Sequence, residues 1–262
     1  MNVLDSFRLD GRTAIVTGGA GRYGKQISEA LAEAGAEVFI AARHVDASQA
    51  FADTLVARGM KAHAIHLDLE STESIDRMVA EITARTGRID ILVNNAVTRC
   101  ACSGWKKALE NYDASFHVNA SALFYITAAV SEVMKKAGKG SIVNIGSFMG
   151  LVGPEAANYA GTTMNENPSP IYFYEKGGMV NFTRWAASIL GKDGIRVNAI
   201  HPGGLFEETL PEPFVKQYSE RTQLGHLAGQ EDLKGIIVFL ASDASGYITG
   251  TNIPVDGGYT AK

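Results

Sequence analysis

The stretch Arg12-Thr-Ala-Ile-Val-Thr17, followed by Gly18-Gly-Ala-Gly-Arg-Tyr-Gly24, decides the fold of this chain. Its β-branched first part predicts a buried strand, and its glycines predict a tight turn. Lys25 to Ala34 then has the apolar spacing of a helix. A strand, a glycine-rich turn and a helix in this order predict a loop whose amide N–H groups approach a bound pyrophosphate. A glycine cluster that only forms a turn is the alternative.

A second strand is predicted for Gly35 to Ala42, and Arg43 follows it directly. In a doubly wound sheet this end of the strand faces the adenosine ribose of a bound dinucleotide. A carboxylate there would bind a free 2′-hydroxyl, whereas a guanidinium suits a 2′-phosphate. The sequence therefore favours NADP(H) over NAD(H), with Arg22 as a second cation in the glycine-rich loop. A solvated loop charge is the alternative for Arg43.

Two more strands are predicted at Lys61 to His66 and Ile89 to Val93, separated by a helix from Thr72 to Thr86. Polar residues follow each strand, Asp68 after the first and Asn94 after the second. Repeated polar strand ends predict a doubly wound sheet that binds its ligand along the carboxyl edge. Asp68 as a helix cap and Asn94 as a turn former remain alternatives.

The middle of the chain predicts a long helix from Trp105 to about Lys136, with Asn119 inside it. Asparagine is unfavourable in a helix interior, so its presence suggests a specific role. A fifth strand, Ser141 to Ile145, ends next to Ser147. A second long helix is predicted from near Ile171 to Gly191.

The last part of the chain predicts a sixth strand, Gly194 to Ile200, which breaks at Pro202-Gly203. The lid segment, residues 205–227, is polar and contains prolines, which predicts an irregular cover over a substrate pocket. A final helix, Gln230 to Ser242, and a strand, Thr251 to Val255, complete the pattern.

Tyr172 and Lys176 stand four positions apart in Ile171-Tyr-Phe-Tyr-Glu-Lys-Gly-Gly178. In a helix, that spacing puts both side chains on one face. An ammonium beside a phenol favours the phenolate, which makes proton transfer near neutral pH easier. None of the other tyrosines among the nine in the chain has a lysine at this spacing, although chance alone could produce one such pair.

Length and composition predict one domain, residues 1–262, with a large core. A net charge of −4 predicts no binding to nucleic acid or to an anionic membrane. The apolar runs are too short to cross a bilayer and the N-terminus shows no signal peptide, so we expect a cytoplasmic protein. Cys100 and Cys102 predict reduced loop thiols rather than a metal site.

Taken in order, several motifs make the chain similar to the short-chain dehydrogenase/reductase family over roughly residues 8 to 260. They are Thr17-Gly-Gly-Ala20 with Gly24, Asp68-Leu69, Asn94-Asn-Ala96, Asn119, Ser147, Tyr172 with Lys176, Asn198, Pro202-Gly203, Tyr247-Ile-Thr-Gly250 and Val255-Asp-Gly-Gly258. Each motif alone is weak evidence, whereas the ordered set is specific.

The resemblance implies a Rossmann-like three-layer αβα sandwich with a mostly parallel sheet of about seven strands. It implies that Tyr172 is the general acid/base and that Ser147 holds the substrate oxygen. Lys176 would bind the nicotinamide ribose and lower the tyrosine pKa, and Asn119 would place a water in a proton relay. This chemistry needs no metal, because one tuned phenol and one hydroxyl donor serve a carbonyl that exchanges hydride with the cofactor. A homotetramer is also implied.

The resemblance further implies a set of cofactor-binding residues for NADP, with NAD as the alternative. They are Gly18, Gly21, Arg22, Tyr23, Arg43, Asp68, Leu69, Asn94, Tyr172, Lys176, Gly203 and Leu205. The chain departs from the family pattern at three places. Arg22 stands where the family loop has glycine, an insertion at residues 151–170 lengthens the path from Ser147 to Tyr172, and Glu207 replaces a threonine that commonly touches the cofactor amide.

The leading hypothesis is an oxidoreductase that interconverts a secondary alcohol and a ketone on a small polar substrate, such as a sugar acid, polyol or keto-sugar. The polar insertion and Glu207-Glu208 suggest that substrate class. A dinucleotide-sensing protein without catalysis is the alternative from another class, and an NAD(H)-dependent dehydrogenase is the alternative within the fold. A nucleotide-sugar epimerase is disfavoured by the short C-terminal part, and enoyl reduction by the close Tyr172–Lys176 spacing.

Overall fold

The computed structural model of the protein describes residues 2–99, 109–164 and 168–261. Its strands are β1 Thr13–Thr17, β2 Glu37–Ala42, β3 Lys61–His66, β4 Ile91–Asn94, β5 Gly140–Ile145, β6 Ile195–Pro202 and β7 Asn252–Val255. Its helices are α1 Arg22–Glu33, α2 Val45–Ala57, α3 Thr72–Thr86, α4 Leu109–Phe116, α5 Ala122–Ala137, α6 Pro170–Leu190, α7 Glu212–Ser219 and α8 Lys234–Ala241.

Within these residues the strands form one seven-stranded parallel sheet in the order β3-β2-β1-β4-β5-β6-β7. The order reverses direction between β1 and β4, which is the switch point where doubly wound sheets bind dinucleotides. All side chains of β1 and β5 are buried, as expected for inner strands covered on both faces. The predicted three-layer fold with a mostly parallel sheet of about seven strands is confirmed.

Helices cover both faces of the sheet and bury two apolar layers. On one face Ile27 and Leu31 of α1 pack with Leu240 of α8, and all three are fully buried. On the other face Ile126 of α5 and Ile82 of α3 belong to a second buried cluster. Each helix contributes one apolar stripe, because residues three and four apart share a face. This scaffold brings the carboxyl ends of the strands to one edge.

The sequence prediction of individual elements is wrong at two places. Helix α2 was not predicted, and it buries only the small Ser48 and Ala52 together with Leu55, which makes a narrow apolar stripe. The lid segment contains α7, which begins after Pro211 and buries Phe214 and Tyr218, so it is not wholly irregular. The predicted helix from Trp105 to about Lys136 is confirmed over its described residues, where α4, a π-helical turn and α5 follow one another without a break.

Some sequence predictions lie outside the described residues. Cys100, Cys102 and Trp105 are among them, as are the three residues of the insertion numbered 165–167. In the ranges that are described, no helix is both long enough and apolar enough to cross a bilayer.

Candidate active site

The glycine-rich loop after β1 has the shape needed for a phosphate group. Gly18 has φ +62°, which L side chains rarely adopt. A Cβ on Gly24 would lie 2.1 Å from the Gly18 carbonyl oxygen, so only glycine lets α1 pack this close to the loop. Gly21 is the N-cap residue of α1, where the helix dipole favours an anion. The loop therefore fits the pyrophosphate of a dinucleotide, despite Arg22 in place of glycine.

Asn95 fixes this loop from the neighbouring strand. Its side-chain amide donates to the carbonyl oxygens of Thr17 and Gly18, at 2.9 and 3.0 Å. The Thr17 hydroxyl in turn accepts from the backbone N–H groups of Asn95 and Ala96. The ends of β1 and β4 are therefore tied together beneath the predicted cofactor site.

Tyr23 and Arg22 join the glycine-rich loop to the segment after β6. The Tyr23 hydroxyl donates to the Gly203 carbonyl oxygen at 2.9 Å, and burial raises the pKa of that phenol. Arg22 forms an ion pair with Glu207 at 3.0 Å. Leu205 lies between these two contacts in sequence and forms a β-bridge with Ala228. Glu207, which replaces the expected threonine, is thus a partner of the phosphate loop.

Arg43 lies at the end of β2 and forms an ion pair with Glu70 at 3.2 Å. Both side chains are more than half exposed, so water screens the pair and it contributes little to stability. Asp68 accepts the backbone N–H of Glu70 at 3.0 Å, which shapes the turn before α3. A 2′-phosphate could therefore approach Arg43 once the Glu70 carboxylate moves aside.

Asn94 faces the inside of the protein rather than the sheet edge. Its side-chain amide donates to Asn144 at 2.9 Å and to Thr127 at 3.3 Å. Asn144 donates in turn to Thr183 of α6 at 3.0 Å. These fully buried polar groups satisfy one another, as a buried network requires. Asn94 thus links the sheet centre to α5 and α6.

Asn119 lies in a π-helical turn, His117–Ser121, that separates α4 from α5. Its amide group donates to the Thr98 carbonyl oxygen and to a Glu175 carboxylate oxygen, both at 2.8 Å. Its carbonyl oxygen accepts the Thr98 N–H at 2.9 Å. Such turns are frequent at functional sites, and this one accommodates the asparagine that is unfavourable in a regular helix.

Tyr172 and Lys176 lie on one face of α6, as predicted. The Lys176 nitrogen is 5.9 Å from the centre of the Tyr172 ring and donates to the Ile145 carbonyl oxygen at 2.8 Å. Burial lowers the pKa of Lys176 to about 8, while the Glu175 carboxylate opposes that shift and the Arg99 charge adds to it. The lysine is buried, whereas Tyr172 is half-buried and open to a ligand.

Ser147 caps a short turn, Phe148–Gly150, that packs against α6. Its hydroxyl oxygen accepts the Met149 N–H at 3.2 Å, so its own proton can be donated to a substrate oxygen. A Cβ on Gly150 would lie 2.5 Å from the Lys176 carbonyl oxygen. This close contact holds the serine turn beside the helix that carries Tyr172 and Lys176.

His201 supports Ser147 from β6 and was missed in the sequence. Its Nδ1 atom lies 3.3 Å from the Ser147 backbone nitrogen, and its Nε2 atom lies 2.8 Å from the Asn252 side-chain oxygen. Burial lowers the pKa of His201, which favours the neutral ring. Neutral imidazole with its proton on Nε2 donates to Asn252 and can accept the Ser147 N–H, whereas with its proton on Nδ1 it donates to the Ser147 carbonyl oxygen at 3.1 Å. A Cβ on Gly146 would strike this ring at 2.4 Å, so the glycine makes room for it.

A cavity of about 20 Å³ is lined by two of the predicted catalytic residues, Asn119 and Lys176. Thr17, Asn94, Asn119 and Lys176 supply its polar wall, and Leu69 and Met179 are among its apolar residues. That volume is sufficient for one water molecule, and the polar groups could hold it. The cavity therefore connects Lys176 with Asn119.

Glu175 is a buried carboxylate that the sequence analysis did not single out. It accepts the Ser115 hydroxyl at 2.8 Å and the Asn119 amide at 2.8 Å. Burial raises the pKa of Glu175, and these hydrogen bonds and the Lys176 charge oppose that shift. Its position next to Lys176 in the predicted helix could have suggested a role at the site. A buried carboxylate needs a hydrogen-bond or charge partner.

The insertion packs onto the lid segment instead of projecting into solvent. The Tyr159 ring lies 5.6 Å from the Phe214 ring of α7, and Gln217 donates to the Ala160 carbonyl oxygen at 2.7 Å. Asn158 donates to the Tyr259 hydroxyl at 2.8 Å. The described part of the insertion thus lies against α7 and Tyr259. Arg99 is a further missed residue, with its guanidinium 5.7 Å from the Tyr172 ring centre.

Comparisons with known proteins agree over nearly the whole chain. A family model described as enoyl-(acyl carrier protein) reductase matches residues 22–260. The 3-oxoacyl-[acyl-carrier-protein] reductase of Thermotoga maritima is 36% identical over 261 residues, which is 96% of this chain and 98% of that protein. A cyclopentanol dehydrogenase of a Comamonas species is 33% identical over 261 residues, 97% of this chain and 99% of the relative.

Solved structures give the same result. A gluconate 5-dehydrogenase from Burkholderia cenocepacia, in complex with NADP and tartrate, superposes with a TM-score of 0.88 at 29% identity and covers 100% of both chains. The relatives are named dehydrogenases and reductases, so the protein is an NAD(P)-dependent oxidoreductase. Because the family model and the relatives match it almost from end to end, we conclude that the chain belongs to the short-chain dehydrogenase/reductase family.

Proposed function

We propose that this enzyme interconverts a secondary alcohol and a ketone on a small polar substrate, with NADP(H) preferred. One observation carries the proposal. The Ser147 turn packs directly against the backbone of α6 at Lys176, and the Lys176 nitrogen is 5.9 Å from the centre of the Tyr172 ring. These contacts support a site that combines a hydroxyl, a phenol and an ammonium. These groups can hold an oxygen and exchange one proton with it.

The proposed chemistry divides between the cofactor and the chain. When bound, the nicotinamide supplies the hydride donor or acceptor. Tyr172 gives a proton to the substrate oxygen in reduction and takes it back in oxidation, while the Ser147 hydroxyl donates a hydrogen bond to the same oxygen. Lys176 holds the ribose and stabilises the phenolate that forms. In reduction, the proton that Tyr172 gives to the substrate would be replaced through Lys176 and a water in the cavity beside Asn119. In oxidation the proton would leave by the same route.

The cofactor itself would be held along the carboxyl edge of the sheet. The loop from Gly18 to Gly21 would receive the pyrophosphate, and Asp68 with Leu69 would border the adenine side. Gly203 and Leu205 would face the nicotinamide end, and Lys176 would bind the ribose. Asn94 would act through the buried network beneath, because its amide group is engaged there.

The preference for NADP(H) is supported by two cations at that edge. Arg43 is at the end of β2, and Arg22 is in the glycine-rich loop, each exposed by more than half of its side chain. A guanidinium matches a phosphate with paired N–H donors. Both arginines have carboxylate partners that a phosphate would displace. The gluconate dehydrogenase relative was solved with NADP.

A polar substrate is supported by one relative. The gluconate 5-dehydrogenase holds tartrate, which is a hydroxylated acid. Glu207 no longer supports this class, because it is paired with Arg22. Some relatives are named for an apolar substrate, such as the cyclopentanol dehydrogenase. Apolar alcohols are therefore the main competing substrate class.

Screening initial rates with NADPH, NADP⁺, NADH and NAD⁺ against sugar acids, polyols, keto-sugars and cyclic alcohols tests the proposal. We expect turnover of a polar substrate, faster with the phosphorylated cofactor. Tight cofactor binding with no turnover of any compound would favour a dinucleotide-sensing protein instead. Turnover of cyclic alcohols alone would contradict the polar substrate.

We also propose a cytoplasmic homotetramer. Helices α5 and α6 expose Phe124, Trp185 and Ile189, each by about half of its surface. Phe124 and Trp185 both contact Phe182, so the exposed rings form a continuous strip. Apolar strips of this kind usually mark subunit contacts.

A further inference from the structure

Arg99 is a cation at the mouth of the proposed active site. It follows β4, and its side chain is exposed, with the guanidinium carbon 5.7 Å from the centre of the Tyr172 ring. That distance corresponds to a cation above or beside an aromatic ring. Arg99 is therefore a neighbour of the side chain whose hydroxyl would meet the reacting oxygen of the substrate.

Three other arginines around the cleft already have carboxylate partners. Arg22 pairs with Glu207, Arg43 with Glu70, and Arg221 with Glu155 at 3.8 Å. Within residues 2–99, 109–164 and 168–261, the ion pairs of the structure do not include Arg99. The Arg99 charge is therefore available to a ligand, whereas the Arg221 charge is already paired with Glu155.

The field of Arg99 reaches the groups that surround the cleft. Burial raises the pKa of Tyr159 in the insertion, and the Arg99 charge opposes that shift. Arg99 also adds to the lowering of the Lys176 pKa, which burial dominates. The Arg99 charge therefore acts on one group of the insertion and on one group of α6.

We propose that Arg99 binds the carboxylate of the substrate, so that this enzyme acts on hydroxy acids and oxo acids. This inference rests on the proposed function and selects acids from its broader class of polar substrates. A carboxylate matches the planar guanidinium with two parallel hydrogen bonds. Its single charge balances a single arginine, whereas a phosphate dianion would need a second unpaired cation. The bound acid group would fix which carbon faces Tyr172.

Calorimetry with matched acid and alcohol pairs tests the inference without turnover. Tyr172→Phe enzyme saturated with NADP⁺ is titrated with gluconate and sorbitol, lactate and 1,2-propanediol, and 3-hydroxybutyrate and 1,3-butanediol. In each pair, the acid carries a carboxylate where the alcohol carries a hydroxymethyl group. We expect at least one acid to bind about tenfold or more tightly than its neutral partner, because charge-assisted bonds are the strong ones.

Adding Arg99→Gln to that background should abolish the difference, and Arg99→Lys should restore part of it. Arg221→Gln is the matched control, because it removes a cation of the lid segment that already has a partner, and it should leave the difference unchanged. The inference is wrong if no acid binds more tightly than its alcohol, or if Arg99→Gln leaves an existing preference intact. Acid binding through Arg99 with no turnover by the unsubstituted enzyme would instead contradict only the proposed function.

Discussion

Arg43 and Glu70 face each other where the ribose phosphate of NADP would bind. We expect Arg43→Ala to lower the ratio of kcat/KM for NADPH to that for NADH by about tenfold or more, since it removes a charge-assisted contact. Glu70→Gln should raise the ratio a few-fold, because it frees the arginine. Steady-state kinetics with both cofactors measures this.

Arg58→Ala is the control for that experiment, because Arg58 pairs with Glu29 and Glu33 away from the sheet edge. Its cofactor ratio should match that of the unsubstituted enzyme. An Arg43→Ala enzyme that keeps its preference for NADPH would show that Arg43 is only a solvated charge.

Lys176 and Glu175 predict the alkaline side of the pH profile. The pKa of Lys176 is lowered to about 8 by burial, so protonated lysine, and activity with it, should be lost as pH rises through that value. Glu175→Gln removes a charge that favours the protonated form. We therefore expect the alkaline limb of log kcat/KM against pH to move to lower pH by up to about one unit.

Glu175→Asp keeps the charge and should leave the limb near its original position. If the alkaline limb does not move in Glu175→Gln, the Glu175 carboxylate does not influence the titration of Lys176. The contribution of Lys176 to the free energy of unfolding should rise with pH, in contrast to the activity, which should fall. Because the folded pKa of Lys176 lies below the ordinary lysine value of 10.5, the unfolded chain binds more protons between about pH 8 and 10.5, and stability from this group rises with pH there.

Residues differ in how far the sequence could predict them. Tyr172 and Lys176 were predictable because helix periodicity alone fixes their shared face. The partners of Glu175 and Arg43 were not, because α4 and the turn before α3 come from distant parts of the chain. His201 needs the packing of β6 behind Ser147 before its role can be seen.

Among elements, the described part of the insertion packs on α7, and we propose that the two form a joint cover over the cleft. Tyr159 and Phe214 pack as an aromatic pair, which typically contributes about 0.5–1.5 kcal/mol beyond its buried area. Tyr159→Ala should therefore loosen α7, raise KM more than it lowers kcat, and speed proteolytic cleavage in the lid segment. Limited proteolysis and steady-state kinetics on the same preparations measure both effects.

Tyr247→Ala is the control, because the side chain of Tyr247 is fully exposed. A double-mutant cycle of Tyr159→Ala with Phe214→Ala isolates their coupling, since residues in contact are not additive. Additive effects of the two substitutions on KM would contradict a joint cover.

Elements were predictable where apolar periodicity was strong. The bounds Lys61–His66 and Thr72–Thr86 agree with the prediction, and the other predicted strands differ from it by a few residues at most. Helix α7 could not be predicted from the proline-containing lid segment by composition alone, because proline is favoured both in loops and in the first turn of a helix. The π-helical turn at Asn119 has no local sequence signal beyond the asparagine itself.

At the scale of the whole molecule, the strip of exposed rings on α5 and α6 predicts association. Light scattering after size exclusion should give the mass of a tetramer. Trp185→Glu puts a charge in the strip and should give a smaller assembly, because an unpaired buried charge is costly. Leu224→Glu, on an exposed apolar side chain of the lid segment, is the control. A monomer for the unsubstituted enzyme would contradict the tetramer.

The architecture of the whole molecule was predictable because alternating strands and helices permit few topologies. The match of 96% of the chain to a named reductase agrees with that prediction. The substrate was not predictable in the same way, because it depends on side chains that the insertion, the lid segment and the loop after β4 bring together.

The central claim is that the phenol of Tyr172 exchanges the proton. The direct measurement is turnover and NADP⁺ binding of Tyr172→Phe beside Tyr174→Phe, which alters an exposed tyrosine of the same helix. We expect Tyr172→Phe to lose turnover by about a thousandfold or more while binding NADP⁺ almost normally, and Tyr174→Phe to keep both. Equal turnover by the two variants would contradict the account.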